Sequence, residues 1–351
     1  MLNRRNKLGT LMVFGLAFMA VLLFSLANQA SVASAKEYVL KCANVLGPGT
    51  GMWKSGTEFA QRVEKATNGQ VKIKMYPPEA LVGTMEVFEA VGKGVVDMAW
   101  FTGEYWAGKD PAFAFVSYLP GGFDSPVQHD FWLYQRGGVE MVRELYAKYN
   151  IYCLSLPYYP AEYLMSRVPI KSMADLKGKK LVFSGALAHS LFKKLGVATV
   201  TMPTGERPAA LERGVIDGGD LGVPSTTIAI GAHRVAKYML RPSLHQPSTA
   251  LELSMNMNVW KSMPEDLKQI LEAEAYELQW RNYRNTMDLD QEALKKMRAG
   301  GLKEYTLPAS EVMAIRMEAI KAWQETAQKS PLGQKMMDSQ ISVMKEFGLL
   351  R

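Results

Sequence analysis

Two patterns of hydrophobic positions alternate along the chain after residue 36. Short apolar runs, most of them with a period of two, predict strands, and longer segments with a period near 3.6 predict helices. In the first half the predicted order is strand, helix, strand, helix, strand, at residues 37–43, 52–66, 71–76, 84–93 and 95–100. This β-α-β-α-β order is typical of a parallel sheet with helices on its faces.

The same plan returns in the second half of the chain. Strands are predicted at 181–183, 199–202 and 215–220, and helices at 188–195 and 206–213 lie between them. The sequence therefore predicts a second α/β unit similar to the first. Other helices are predicted at residues 126–136, 139–148, 310–328 and 332–347.

Two further apolar runs, at 151–156 and 251–259, are predicted to be strands that cross from one unit to the other. Two such crossings would form a hinge. A chain of 351 residues also exceeds the size of most single hydrophobic cores. The predicted division is α/β domain I at residues 36–155 plus about 250–280, and α/β domain II at 156–249, completed by C-terminal helices at about 281–351.

A long helix is predicted from Pro264 to about residue 297, where nearly every residue is a good helix former. Proline at the first turn and acidic residues directly after it are typical of a helix start. Such a helix would be about 50 Å long, more than one small domain needs. We therefore expect it to bridge both domains or to reach a partner chain.

The first 35 residues have the pattern of a signal peptide. Arg4, Arg5 and Lys7 precede an apolar stretch at residues 8–26, and small residues follow up to Ala35. We expect export with cleavage after Ala35. The apolar stretch is also long enough for an uncleaved membrane anchor, and that alternative stays open.

The charge balance argues against a nucleic-acid partner. Without the three positive charges of the first 35 residues, the formal net charge falls from +7 to +4. Lys and Arg alternate with Glu and Asp along the predicted helices, and no basic run carries interleaved aromatic residues. We therefore expect no nucleic-acid binding.

The chain has two cysteines, Cys42 and Cys153, each in an apolar strand-like run. In an oxidising compartment they could form one disulfide, whereas their apolar surroundings favour two buried thiols. Neither belongs to a C-x-x-C pair, so we expect no redox or zinc role.

The sequence carries no motif of a familiar catalytic class, such as a zincin helix, a Walker loop or a nucleophile elbow. Gly47, Gly49 and Gly51 resemble a dinucleotide loop only loosely, and a helix N-terminus that faces a ligand cleft suits them better. The histidines lie far apart, and we expect surface or structural roles for His129, His189, His233 and His245. No enzyme is predicted.

Several segments, in their order and spacing, resemble a known family, the periplasmic solute-binding subunits of TRAP transporters (DctP-like), and in particular the branch that binds α-keto acids and lactate. The resemblance implies a two-domain, Venus-flytrap binding protein with hinge strands, a bridging C-terminal helix, and docking onto a membrane permease. In the keto-acid branch it also implies a homodimer joined through an exchanged C-terminal helix, with a monomer as the alternative. The segments are 67–69, 94–98, 108–115, 146–150, 175–178, 194–197, 208–217 and 259–260.

The chain departs from the family pattern at the residues that would meet the ligand. Val182 stands where the family usually places an Arg that binds a substrate carboxylate, and Arg207 could replace it, although we expect Arg207 at the surface. Glu162 stands where the keto-acid branch has a Gln that helps to hold a cation. Asp220 and Leu221 stand where that branch has Glu-Trp.

By charge matching, a cleft that has lost a cation and keeps two carboxylates disfavours a free carboxylate ligand. It favours a cationic or neutral polar solute, or an organic acid bound together with a metal ion such as Ca²⁺ or Na⁺. No cofactor is certain. Glu162, Asp220 and the amide oxygen of Gln246 are the candidate metal ligands. The alternative is that the two carboxylates point to solvent or pair with nearby Lys and Arg.

Trp53, Tyr105, Tyr158 and Tyr159 are candidate aromatic walls of the cleft, since rings attract cations. Packing in the core is the alternative for each, as it is for the aromatic stretch at residues 101–123. Together these observations predict a periplasmic solute-binding subunit of a TRAP-type importer. A sensor or storage protein without a permease, and an exported enzyme, are the alternatives.

Overall fold

Three β-sheets organise the chain, which we describe from a computed structural model over residues 36–350. The strands are β1 (Tyr38–Asn44), β2 (Val71–Tyr76), β3 (Met98–Phe101), β4 (Ile151–Ser155), β5 (Tyr158–Tyr159), β6 (Leu164–Ser166), β7 (Lys180–Val182), β8 (Ala198–Val200), β9 (Gly218–Asp220), β10 (Tyr238–Arg241), β11 (Thr249–Ala250), β12 (Glu252–Asn256) and β13 (Lys303–Thr306).

Eleven α-helices occur within the described residues. They are α1 (Gly51–Ala66), α2 (Val87–Lys93), α3 (Pro126–Gln135), α4 (Gly138–Ala147), α5 (Ala186–Lys194), α6 (Arg207–Glu212), α7 (Pro224–Ala229), α8 (Met257–Ser262), α9 (Glu265–Ala299), α10 (Ala309–Ala327) and α11 (Pro331–Glu346). Short 3-10 turns connect several of them, including the turn at Gly103–Trp106.

The first sheet has the strand order β2-β1-β3-β12-β4, and the second has the order β13-β10-β6-β9-β7-β8. Parallel pairs form the inner part of each, β1 with β3 and β7 with β9, as the β-α-β pattern predicts. Strands that arrive from distant parts of the chain pair antiparallel, β12 in the first sheet and β6 in the second. The two-domain α/β fold is therefore confirmed, but its sheets are mixed rather than parallel.

Two predicted strands differ from the structure. The run at 251–259 is not one strand, because the Asn256 side chain accepts hydrogen bonds from the amides of Asn258 and Val259 and so starts α8. The run at 95–100 becomes a strand only from Met98, since α2 ends at Gly94 with a left-handed backbone, and a turn must follow.

The chain crosses between the two large sheets at a small third sheet. It leaves the first sheet after β4 through β5, and it returns through β11 into β12. Strands β5 and β11 pair antiparallel, with Tyr159 opposite Thr249, and an isolated bridge joins Glu162 to Gln246. Both crossings are thus tied to each other, which is the arrangement of a hinge.

Helix α9 has 35 residues and is about 52 Å long. It packs along α1 and also against α7, the short helix that follows β9. The Asn282 amide donates to the carbonyl oxygen of Tyr158 at 2.8 Å, so the helix also holds crossing strand β5. At its crossing with α1, Gly51 lies directly against Thr286, where a side chain would clash.

The main hydrophobic cluster contains residues of both large sheets, such as Phe101 and Leu181, and from Val39 onward the described chain forms one compact unit. Cys42 and Cys153 are both buried and free on β1 and β4, with β3 and β12 between them. The expected burial of both thiols is thus confirmed.

The predicted signal peptide, its cleavage after Ala35 and the alternative membrane anchor lie outside the described residues. Within residues 36–350, no helix has both the length and the apolar character that crossing a membrane requires.

Candidate functional site

A polar cavity lies beside the paired crossing strands and is lined from both halves of the fold. Four of its polar residues lie at or just after the carboxyl ends of strands: Thr102 and Glu104 after β3, Ser184 after β7, and Asp220 at the end of β9. In α/β proteins ligands bind at the carboxyl ends of strands. The complete lining is Val45, Leu46, Met52, Thr102, Glu104, Tyr105, Tyr159, Glu162, Ser184, Thr204, Arg207, Asp220, Gly222, Thr226, Gln246 and Leu251.

The Asp220 carboxylate, on a residue that is 3% exposed, is held in this cavity by several hydrogen bonds. One oxygen accepts from the Ser184 hydroxyl at 2.7 Å, and the other accepts from the Gly222 amide at 3.1 Å. Burial alone would raise the pKa of Asp220, but the Arg207 charge and these hydrogen bonds hold it below its ordinary value. Asp220 is therefore ionised in the cavity wall.

Arg207 is 2% exposed and lies against Asp220, so the expected surface position is wrong. Its Nη1 donates to the Asp220 carbonyl at 2.7 Å and lies 3.3 Å from Oδ1 of the same residue. Nη2 donates to the Ser184 hydroxyl at 3.0 Å, and Nε donates to the Met202 carbonyl at 3.4 Å. Every guanidinium nitrogen is thus engaged by a protein oxygen.

Glu162 lies on the crossing segment and faces Asp220, with which its carboxyl group shares a hydrogen bond. Burial first, and then the Asp220 charge, raise the pKa of Glu162 well above its ordinary value. A raised pKa favours the protonated form of Glu162, in which it donates to the Asp220 carboxylate. The two carboxyl groups thus face each other in the cavity, while Asp220 also pairs with Arg207, which was the stated alternative.

Gln246 holds Glu162 from the opposite side. Its amide nitrogen donates to both Glu162 carboxyl oxygens, at 3.0 and 3.1 Å, and its amide oxygen accepts from the Tyr118 hydroxyl at 3.0 Å. The amide oxygen, the predicted metal ligand, is thus occupied by Tyr118 in this arrangement.

A third acidic residue, Glu104, lines the cavity and was not predicted. It is 5% exposed and hydrogen-bonds to Tyr118, and burial raises its pKa well above the ordinary value. The available signal was its position in the aromatic stretch at residues 101–123, for which a cleft wall and core packing were the two expectations. In the structure this stretch forms part of the cavity wall and also fills the core, because Tyr105 lines the cavity while Trp106 and Phe113 pack in the core.

His245 lies next to these carboxylates although it is not part of the cavity lining. The side chain is 1% exposed, and burial lowers its pKa to about 4, so the imidazole is neutral. A ring nitrogen lies within 4.8 Å of carboxylate oxygens of both Glu162 and Asp220. Sequence reasoning missed it, because a single His without a helical partner carries no local signal.

Of the nine predicted ligand-binding residues, five line the cavity: Tyr105, Tyr159, Glu162, Asp220 and Gln246. The structure corrects the expected position of the other four. Val182 and Leu221 pack in the hydrophobic cluster of the second sheet. Leu221 directly follows Asp220 and so turns to the opposite side, and on the other strand the cavity residue is Ser184, which lies beyond the end of β7.

The other two predicted residues that do not line the cavity, Tyr158 and Trp53, are aromatic. Tyr158 packs on Trp280 at 4.8 Å and donates to Asp130 at 2.7 Å, which turns it away from the cavity. On α1 it is Met52, rather than the neighbouring half-buried Trp53, that lines the cavity.

Comparison with known proteins identifies the family. The family model described as bacterial extracellular solute-binding protein, family 7 (DctP), matches residues 42–330. The chain is 28% identical over 324 residues to a monocarboxylate 2-oxoacid-binding periplasmic protein of a Nostoc species, covering 86% of this chain and 88% of that protein.

Solved structures show the same relationship. A TRAP transporter solute-binding protein from Bordetella bronchiseptica, a dimer with copurified calcium and picolinate, matches with a TM-score of 0.83 and 26% identity over 89% of this chain and 93% of that one. A TRAP periplasmic solute-binding protein from Colwellia psychrerythraea with bound calcium and pyruvate matches with a TM-score of 0.81 and 25% identity, over 89% and 95%. The chain therefore belongs to the DctP family of periplasmic TRAP solute-binding proteins.

Proposed function

We propose that this protein captures a small polar solute in the cavity at the hinge and delivers it to a TRAP membrane permease. The family supports a binding role, and the lining from both halves of the fold supports capture by closure of domain I (residues 36–155 and about 250–280) on domain II. In this role the solute leaves chemically unchanged. Recovery of a converted solute after incubation with the protein would contradict a pure binding function.

The ligand class follows from one observation, the full engagement of Arg207. A free carboxylate needs a guanidinium fork with open N–H groups, and Arg207 is the only cationic residue in the cavity lining described here. Its nitrogens already bind Asp220, Ser184 and Met202. A solute must therefore bring its own positive partner, either as part of the molecule or as an accompanying cation.

The residues of the cavity suit such a cation. Glu162 and Asp220 place carboxylate oxygens close together, and their carboxyl groups share a hydrogen bond. Carboxylate oxygens are the ligands that hard cations such as Ca²⁺ and Na⁺ prefer. When bound there, a cation would supply the positive charge that a carboxylate solute otherwise lacks in this cavity.

The remaining residues have supporting roles. Tyr105 and Tyr159 form aromatic walls, and the Tyr159 hydroxyl is fixed by Thr226 at 3.0 Å. Gln246 holds Glu162 in place and is itself held by Tyr118. Because Glu162 follows β5 and Gln246 precedes β11, and the two residues are bridged, a solute that contacts Glu162 is coupled directly to the hinge.

Titration calorimetry of residues 36–351 tests this proposal. The solutes are pyruvate, a small dicarboxylate, a primary amine and a neutral polyol, each measured with calcium present and after removal of divalent ions by a chelator. We expect binding of the amine, or of a carboxylate only with the cation present. Tight binding of a free carboxylate after chelation would refute the ligand class.

Substitutions locate the site in the same assay. Glu162→Gln should weaken binding at least about tenfold, because glutamine cannot give up a proton and so cannot supply the negative charge that a bound cation requires. The matched control is Glu292→Gln, an exposed glutamate on α9 that pairs with Lys295. Equal binding by both variants would place the solute elsewhere.

We also propose a homodimer through α9. Tyr276 and Met287 are exposed on this helix, by 53% and 36% respectively. Light scattering of the purified protein at micromolar concentration should give twice the chain mass. A monomer mass would reject the dimer without affecting the binding proposal.

A further inference from the structure

His245 is buried beside the carboxylates without a hydrogen-bond partner. Neither of its ring nitrogens has a partner within residues 36–350, although the side chain is 1% exposed. Buried polar groups are almost always satisfied, so an exception of this kind needs an explanation. The Phe183 ring lies 5.6 Å from the imidazole and offers no acceptor.

The position of His245 is fixed by the segment that carries it. The preceding Leu244 carbonyl accepts from the Gly121 amide at 3.0 Å, and the following Gln246 is bridged to Glu162. Ser243 donates to the Glu162 carbonyl at 2.5 Å. Hydrogen bonds thus fix Ser243, Leu244 and Gln246, the residues on either side of His245. They hold the imidazole against Glu162 and Asp220.

These groups form one set of donors. An imidazole nitrogen of His245 and one carboxylate oxygen each from Glu162 and Asp220 all lie within 4.8 Å of one another, and all three side chains are buried. Gln246 does not complete this set, because its amide oxygen faces Tyr118. The third potential ligand beside the two carboxylates is therefore a nitrogen atom.

We propose that His245 is a metal ligand together with Glu162 and Asp220, and that the cation site takes a divalent metal ion that accepts nitrogen ligands, such as Zn²⁺, in preference to Ca²⁺ or Na⁺. Imidazole nitrogen suits transition metals, whereas Ca²⁺ and Na⁺ select oxygen ligands. A buried imidazole without another partner has its lone pair available for this bond. This inference rests on the cation position of the proposed function and names the class of ion there.

Metal binding alone is the first test. The protein is stripped with a chelator and dialysed, and it is then titrated with zinc, manganese and calcium chlorides, without organic solute. We expect Zn²⁺ to bind at least about tenfold more tightly than Ca²⁺, as nitrogen ligation and the order of divalent affinities require. Calcium binding as tight as zinc would overturn the assignment.

A spectroscopic measurement on the wild-type protein makes the test independent of any variant. Bound Mn²⁺ should show electron-spin-echo modulation from a coordinated ¹⁴N nucleus. His245→Gln should remove that signal and weaken Zn²⁺ binding about tenfold or more. His233→Gln, which changes a histidine outside the site, should leave both unchanged. Absence of nitrogen modulation in the wild-type protein would exclude His245 as a ligand.

The two proposals fail in different ways. If Glu162→Gln abolishes solute binding while His245→Gln changes neither the solute affinity nor the metal preference, the proposed function stands and the nitrogen ligand is rejected. If neither variant changes the binding of any solute or metal ion, the cavity is not the site, and the proposed function fails together with this inference.

Discussion

Replacement of Arg207 by Met tests whether the buried ion pair with Asp220 holds the cavity together. The substitution keeps most of the side-chain length but removes the guanidinium, which contacts Asp220, Ser184 and Met202. Asp220 would keep the Ser184 hydroxyl and the Gly222 amide as donors but lose the positive charge of Arg207. Breaking a buried pair by removing one partner costs about 3–5 kcal/mol, because an uncompensated charge remains.

Calorimetric melting measures this loss. For a chain of roughly 310 folded residues the unfolding entropy is about 0.65 kcal/mol/K, so a loss of about 3–5 kcal/mol lowers Tm by about 5–8 °C. Arg213→Met is the matched control, since Arg213 is exposed at the end of the same helix and should change stability by less than about 0.5 kcal/mol.

A double-mutant cycle separates the ion pair from the loss of packing. Asp220→Asn alone should also destabilise the fold, because it leaves the Arg207 charge buried without a partner. Combined with Arg207→Met it should cost less than the sum of the single changes, by up to about 3 kcal/mol. Strictly additive losses, or a Tm change of Arg207→Met as small as that of the control, would refute the reasoning.

Other predictions concern parts of the fold away from the cavity. Burial raises the pKa of Glu252 from 4.5 to about 8, so its stabilising contribution is complete below pH 4.5 and is lost as the pH rises through 8. The free energy of unfolding of the wild type should therefore fall relative to Glu252→Gln by roughly 1.4 kcal/mol per pH unit between these values, and a constant difference in urea melts would contradict this. Gly51→Ala should cost about 1–3 kcal/mol by overpacking, since a Cβ would lie 2.9 Å from the Thr286 Cα, whereas Gly108→Ala, with nothing within 4 Å, should be nearly neutral. Both cysteine thiols should react with a thiol reagent only in denaturant, because burial raises their pKa to about 12. Equal labelling of the native and the denatured protein would contradict this prediction.

Elements with local signals could be predicted from the sequence. The first β-α-β unit and the long helix are marked by hydrophobic period, by a proline or glycine at their ends, and by acidic residues in the first turn. The observed α9 extends from Glu265 to Ala299, within two residues of the predicted limits. Such elements depend on contacts close in the chain, and these are visible in the sequence.

Strands that depend on distant partners could not be predicted. Strand β13 pairs parallel with β10, with Lys303 opposite Tyr238, and neither run alternates clearly enough to predict a strand alone. Strand β6 has only three residues between β10 and β9. Their conformation is imposed by the neighbours they pair with, and the sequence shows no local trace of that pairing.

The same limit applies to the site. Glu162 and Asp220 could be located because they occupy positions that matter in a resembling family, whereas Arg207 and Glu104 have no such marker. The sequence shows Arg207 only as the first residue of a short helix, where an exposed side chain is the ordinary expectation. In the structure the side chain is instead buried at the end of β9, where its Nη1 donates to the Asp220 carbonyl at 2.7 Å.

The position of the positive charge decides what the cavity can bind. Position 182, where the resembling family has an arginine, holds the core residue Val182, and the positive charge of the cavity comes from Arg207 instead. Arg207 pairs with Asp220, and burial raises the pKa of Glu104 and of Glu162 well above the ordinary value, so the lining described here offers a solute no free positive charge. We therefore expect the cavity to favour a solute with an ammonium group, or a carboxylate that arrives with a cation. Only the second should lose its affinity when a chelator is added.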